Sequence, residues 1–537
     1  MDRHRLRAPS ADGALLAKPP LSEVGAKLVE NAGRFAVWDY DFQGRRAGRL
    51  RALARCQVLE KARDYHRRSG LDIPEQPGTP ARLVVTGHQP ELFHPGVWVK
   101  NFAVAGIARA HGAIGLNLVV DNDIPKSSAI RVPRRVDGRF RVERVEYDQW
   151  VGEVPFEDLS VEDEASFATF PGRVRDALDG TVPDPLIDDF WPLALQHREP
   201  PDRLGLRFAR ARRALEASWG VRNWEVPLGA ACETEAFLWF ASHLLAHLPR
   251  FQAIHNAALA RYRARYGIRS RHHPVPMLGR QDDWREAPFW VWHPERPRRR
   301  PLLVRQLART MQLRAGGEGE PFLEIPLAPD REACCAVDQL RTLPARQIRL
   351  RTRALTTTMF ARLLVGDLFL HGIGGAKYDE LGDEIAGEFF RITPPAYLVL
   401  SMTLWLSQES DPARPERLAA LDRALRDLTF NPDRHLSDLR APEARSWIEA
   451  KQQAISGPVE TRRQRLDRFR AIRRANEALQ PFVAEGRARL QAERDRLLAG
   501  LRRNAIAHHR EYAFVLHSRR RLFEAMVGLG SGSLQSV

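Results

Sequence analysis

Three short stretches carry the residue types best suited to chemistry: "TGHQPELFHPG" from Thr86, "DNDIPKSS" from Asp121 and "HGIGGAKYDE" from His371. An imidazole titrates near neutrality, so His88 is a candidate to take the proton from an attacking amine. The same residue also reads as a metal ligand or as a hydrogen-bonded structural histidine. Asp123 would orient the amine, although Asp121 and Asp123 read equally as caps of the next element. An anionic group would be held by Lys100, by Lys126 or by a helix N-terminus. Thr86, Gly87, Gln89, His94, Asp121, Asn122, Gly374, Gly375, Lys377 and Tyr378 complete the candidate substrate-binding set with Lys100, and His94, before Pro95-Gly96, also reads as a turn residue. No H-x3-H or C-x-x-C spacing supports a metal, so none is expected. Neither G-x-x-x-x-G-K-[ST] nor G-x-G-x-x-G occurs in these loops, so a P-loop and ordinary dinucleotide binding are unsupported.

These loops need rigid elements to hold them. "RLVVT" and "LNLVVD" are β-branched apolar runs flanking "GVWVKNFAVAGIARAHG", a helix-length segment ending in glycine. Strand, helix and strand in this order form a βαβ unit with parallel strands. "ARLLVGDLFLHGIGGAKYDELGDEIAGEFF" repeats the theme of strand, glycine turn and helix, and "PPAYLVLSMTLWL" adds a buried element. In open α/β sheets ligands sit beyond the carboxyl ends of the strands, so the three loops are expected to share one pocket. The reading is an α/β protein with a doubly wound parallel core over 81–407, with insertions at about 150–300. An N-terminal helical segment over 1–80 packs on that core. From 408 to 505 the chain is charged and helical. Leu466, Phe469, Ile472, Leu479, Val483, Leu490, Leu497 and Leu501 form a coiled-coil-like seam there, interrupted by Pro481 and Gly486. Residues 506–537 read as a C-terminal helix and a loose tail.

The chain has 537 residues and a formal charge of +16. Its basic residues are almost all arginine, with lysine only at positions 18, 27, 61, 100, 126, 377 and 451. Such a skew reads as coding bias more simply than as phosphate-binding design. The arginines of 462–503 are interleaved with acidic residues, as on a solvated helical surface, so nucleic acid is not the expected partner. Lysine keeps a role arginine cannot fill, because a buried lysine can lose its proton. Four cysteines without framework spacing, no long apolar run and no apolar leader point to a cytoplasmic protein outside the membrane.

The order of these features resembles the bacillithiol-biosynthesis cysteine-adding enzymes, the family of cysteine ligases of about this length. There a strand ends in T-G-Q-Q-A-G, a second in an E-D-H-D-like run and a later one in G-G-P-G-E, before a long helical arm. Thr86, Gly87 and Gln89 match the first motif, "DNDIPKSS" stands in the second place, and Gly374 and Gly375 match the third. His88 replaces the first glutamine, and Ala376-Lys377-Tyr378 replaces Pro-Gly-Glu, which marks a divergent member. The resemblance implies a Rossmann-like core with inserted connecting segments and a homodimer formed through a C-terminal coiled coil. It also implies a reaction joining the carboxyl group of cysteine to the amine of glucosaminyl malate, with ATP or ADP as a plausible ligand. The alternatives are another small-molecule transferase activity on the same scaffold, a scaffold whose pocket is inactive, and a non-enzymatic nucleic-acid-associated protein using the arginine-rich arm.

Overall fold

The structure is a computed structural model that describes residues 6–74, 82–136, 139–196, 202–317, 319–407, 411–436 and 442–530. The chain divides into two compact units, residues 1–132, 143–406 and 510–537 in the first and 133–142 and 407–509 in the second.

The first unit is built on a six-stranded, mostly parallel sheet. Its strands are β1 (Leu15–Lys18), β2 (Arg82–His88), β3 (Ala113–Val119), β4 (Trp224–Pro227), β5 (Leu368–His371) and β6 (Tyr397–Met402), in the order β1-β6-β5-β2-β3-β4. Only β1 runs antiparallel, on the edge beside β6. The chain steps outward from β2 through β3 to β4, then returns to the other side of β2 for β5 and β6. The strand order therefore reverses between β2 and β5, where the loops leaving two adjacent parallel strands part to opposite sides.

Both faces of the sheet are covered, which is why its strands are largely apolar rather than alternating. Leu83 and Val85 of β2 and Ile114, Leu116 and Leu118 of β3 pack with helix α1 (Ala47–Arg68) and with Phe237 and Phe240. The other face carries helix α2 (Pro95–Ala110), which lies on β2, β3 and β6. Gly115 of β3 admits α2, because a Cβ there would stand 3.0 Å from Val104. Helices α3 (Leu204–Ser218), α4 (Leu248–Tyr266) and α5 (Ile373–Phe390) complete the elements that matter below. A second sheet, antiparallel throughout, links strands Trp284–His293, Arg296–Gln306, Met311–Ala315, Leu323–Ile325 and Arg349–Thr352.

Two strands of the main sheet were not expected, nor were Met311–Ala315, Leu323–Ile325 and Arg349–Thr352 of the second. The N-terminal segment contributes β1 as well as helices, and the 150–300 insertion contributes β4, the far edge of the main sheet. Both are only four residues long and draw their partners from distant parts of the chain.

In the second unit helix Pro415–Phe430 packs on Ala484–Ala507, and Pro442–Ser456 packs on Arg462–Leu479. The expected single seam is broken by a 3-10 turn at Gln480–Val483, where Pro481 has no N–H to continue the helix. Leu479 and Val483 are buried, whereas Leu466 and Phe469 are exposed. No helix among the described residues is long and apolar enough to cross a membrane.

Candidate functional site

A cleft of about 900 Å³ opens at the carboxyl ends of β2, β3 and β5. Gly87, His88, Gln89, His94 and Lys100 line it from the first loop and α2, Asn122 and Asp123 from the second loop, and Gly374, Gly375, Lys377 and Tyr378 from the third. The three loops meet. Thr86, Asp121 and Lys126 are not part of the lining. The Thr86 hydroxyl donates to Leu370 O at 3.0 Å and ties β2 to β5. Asp121 is buried behind the cleft and accepts from Gly229 N at 2.8 Å. Burial, reinforced by the charge of Glu157, pushes its carboxyl up to about 8. Lys126 is exposed, which leaves Lys100 and Lys377 as the lysines of the lining.

The first loop is held by the core beneath it. Glu216 of α3 accepts from Trp98 Nε1 at 2.6 Å, from Asn101 Nδ2 at 2.7 Å and from Arg212 at 2.9 Å, all on one carboxylate oxygen. With its NH2 committed to Glu216, Asn101 presents Oδ1 to His88, which donates from Nε2 at 3.0 Å. His88 Nδ1 lies 3.2 Å from Gln89 O. Burial and the charges of Arg212 and Lys100 hold this imidazole well below the usual histidine range, so it is neutral. With Nε2 donating to Asn101, the lone pair of His88 is on Nδ1, which is turned against Gln89 O rather than into the cleft, and the base role expected of it lacks the geometry it needs.

The first two loops are clamped together by the next residue. Gln89 Nε2 donates to Asp123 Oδ2 at 2.8 Å, and Arg299 pairs with Asp123 Oδ1 at 3.0 Å. Asp123 thus arrives already paired, and Asn122 fixes the second sheet by donating to Thr352 O at 2.8 Å. At the start of α2, His94 Nδ1 accepts from Gly96 N at 3.1 Å and Pro95 fills N1, where a missing N–H costs nothing. An added Cβ at Gly96 would overlap the carbonyl oxygen of Met402. Because backbone cannot swing aside as a side chain does, Gly96→Ala is expected to lose about 1–3 kcal/mol of stability, read as a lower urea midpoint.

Lys100 is the unusual residue. It is 4% exposed, and its Nζ donates to Gly87 O at 3.3 Å. It makes no ion pair among the described residues, and burial lowers its pKa to about 8. The start of α5 lines the same cleft, and Gly372 precedes it with no side chain capping it. No group among the described residues accepts from the N–H groups of Ile373, Gly374 or Gly375. A helix N-terminus in that state carries a partial positive charge.

Four of the lining residues not singled out from the sequence carry groups that bear on its chemistry. His371, the last residue of β5, stands before the glycine turn and was passed over for the glycines. Arg299 and Arg353 come from the second sheet and the helix that follows it, and their guanidinium groups flank Trp290 at 5.2 and 4.1 Å from its ring centre. Arg510 donates to Ser401 Oγ at 2.9 Å and Met402 O at 3.1 Å at the end of β6. In so arginine-rich a chain, residue type alone gave no signal for these three. Among the described residues no group of three His, Cys, Asp or Glu is arranged to hold a metal ion.

No protein-family model and no curated protein matches this chain. The chemistry therefore rests on the cleft itself. Lys100 and Lys377 make no ion pair among the described residues and Arg510 has the charge of Glu511 beside it, while Arg299 and Arg353 are paired to Asp123 and Glu286. The wall beyond, formed by Phe251, Pro276, Leu278, Trp290 and Tyr378, is apolar and aromatic. A molecule with an anionic end and a less polar body suits such a site.

Proposed function

We propose that this protein is a ligase-type enzyme that holds a small anionic amine in the cleft and joins the carboxyl group of an amino acid to it. The observation that carries the reading is Lys100, a buried cation with no ion-pair partner among the described residues, lining the same cleft as an uncapped helix N-terminus where the strand order of the sheet reverses. A buried charge is costly unless paired, and a bound carboxylate or phosphate would pair this one. The residues Thr86-Gly87, Gln89 and Gly374-Gly375, shared with the bacillithiol-biosynthesis cysteine-adding enzymes, favour glucosaminyl malate as the amine. Its malyl group brings two carboxylates and its sugar brings the nucleophile. On this reading the parallel sheet is a Rossmann-like core, and ATP activates the carboxyl group of cysteine. The helices of 407–509 form an arm that pairs two copies, with exposed Leu466 and Phe469 at its contact face.

Binding to nucleic acid through that arm is the weaker reading. Several of its arginines are engaged locally, Arg417 with Glu493 at 2.5 Å, Arg494 with Asp422 at 2.6 Å and Arg473 with Glu477 at 2.7 Å.

The test is a thermal-shift series with ATP, ADP, cysteine, malate and glucosaminyl malate, followed by an assay of cysteine-dependent phosphate release. A ligand at a hundred times its Kd is expected to stabilise the protein by about 2.7 kcal/mol. Glucosaminyl malate should give the largest shift and support phosphate release. A chain unmoved by every anion at millimolar concentration would end the proposal.

A further inference from the structure

We propose that His371 is the general base of the cleft, accepting a proton on Nδ1 while Asp379 holds its other nitrogen. This rests on the ligase reading above for the identity of the proton donor, but not for the geometry. His371 ends β5 and lines the cavity. Its Nε2 lies in a bent, 2.6 Å contact with Asp379 Oδ2. Asp379 sits one and a half turns into α5, is 1% exposed, and is also bound by Arg362 at 2.6 Å and by the Thr358 hydroxyl at 2.6 Å. Those partners hold its carboxyl far below the usual carboxylate range. An ionised carboxylate beside Nε2 places the ring proton there and leaves Nδ1 as the lone pair. Nδ1 makes no hydrogen bond among the described residues, and it faces the start of α5, where a Cβ on Gly375 would come within 2.9 Å of it. His88 lacks this freedom, since both of its nitrogens face protein oxygens.

The surroundings favour a ring that is neutral before the reaction. The groups facing it are Asp379 on α5, Arg362 on the preceding helical turn, Lys100 on α2 and Tyr397 on β6, whose ring centre is 4.7 Å away. Burial, Arg362 and Lys100 oppose protonation, Asp379 favours it, and the net direction is downward. In the step inferred, the substrate amine attacks the acyl carbon of an acyl phosphate made from the amino acid and a nucleoside triphosphate. The C–N bond forms, the C–O bond to phosphate breaks, phosphate leaves with the electron pair, and the amine proton passes to Nδ1.

Two measurements decide the matter. The first needs no turnover: native protein is treated with diethyl pyrocarbonate, which acylates imidazole nitrogens bearing a free lone pair, and the modified histidines are mapped by mass spectrometry. His371 should react and be protected by glucosaminyl malate or phosphate, with His88 unmodified. A His371 that stays inert while the exposed His272 reacts would overturn the proposal. The second uses His371→Asn and Asp379→Asn in the phosphate-release assay across pH. His371→Asn should lower kcat 100-fold or more while ligand-induced thermal shifts stay within about threefold in apparent Kd. Asp379→Asn should lower kcat and move the acid limb of the profile to lower pH, because the imidazolium loses its counter-charge. A kcat retained in His371→Asn would also overturn it. Failure of the wild type to bind or turn over these compounds would count against the ligase reading alone, with the modification map still deciding the state of His371.

Discussion

Lys100→Met is expected to raise the stability of the ligand-free protein by as much as about 3 kcal/mol and to abolish its response to anions. The magnitude follows from the gap between 10.5, the ordinary lysine value, and about 8 in the folded protein. That gap measures the cost of keeping an ammonium group at a site 4% exposed with one carbonyl for company. Methionine keeps the unbranched stem and drops the charge. The sign against pH follows from proton counting. Between about pH 8 and 10.5 the unfolded chain binds a proton at Lys100 that the folded chain does not, so this residue makes stability rise with pH there. Below pH 8 both states are protonated and the penalty is constant. Urea denaturation from pH 7 to 10.5 should show the rise in the wild type and its loss in Lys100→Met. A saturating anion should also flatten the wild-type curve, by restoring the folded pKa towards its ordinary value. A residue that is costly when the site is empty and favourable when it is filled is the mark of a binding site rather than of a core.

Glu216→Ala is expected to be the most destabilising single change near the site, at roughly 3–5 kcal/mol. One fully buried oxygen accepts from Trp98, Asn101 and Arg212. Its removal leaves two neutral donors unpaired in the core, each costing about 1–3 kcal/mol. Arg212 retains Glu225 at 2.7 Å, which limits the loss. Free of Glu216, the Asn101 amide is no longer held with Oδ1 toward His88, so ligand affinity should fall together with the urea midpoint. An unchanged midpoint would mean that the network is not held as described.

The contrast between these two residues shows what a sequence exposes. The strands β2 and β3, helix α2 and the loops beside them were legible because their pattern is local: β-branched runs, a helix-length segment and a closing glycine lie within forty residues. The convergence of the three loops followed from parallel topology. The edge strand β1 was not legible, because Leu15–Lys18 acquires its identity only from β6, nearly four hundred residues later. Pro481 reads as an interruption, but the separate pairing of the helices on either side of it depends on packing against Pro442–Ser456 and Pro415–Phe430. Lysine scarcity singled out Lys100, yet the absence of a counter-ion is a property of space, not of order along the chain. Likewise "HGIGGAKYDE" contains both His371 and Asp379, eight residues apart, and only the turn from β5 into α5 brings them to 2.6 Å. His88 looked more catalytic than His371 because Gln89 and the prolines around it drew attention to its loop. Its partners Asn101 and Glu216, which occupy it, lie on α2 and α3.

The central claim is that the cleft holds an anion through Lys100, and calorimetric titration of glucosaminyl malate into the wild type and into Lys100→Met at pH 7 tests it most directly. The account predicts a saturable heat at one site per chain in the wild type and none in Lys100→Met, with the variant folded and more stable. Equal binding to both proteins, or a wild type that takes up no ligand, would contradict it.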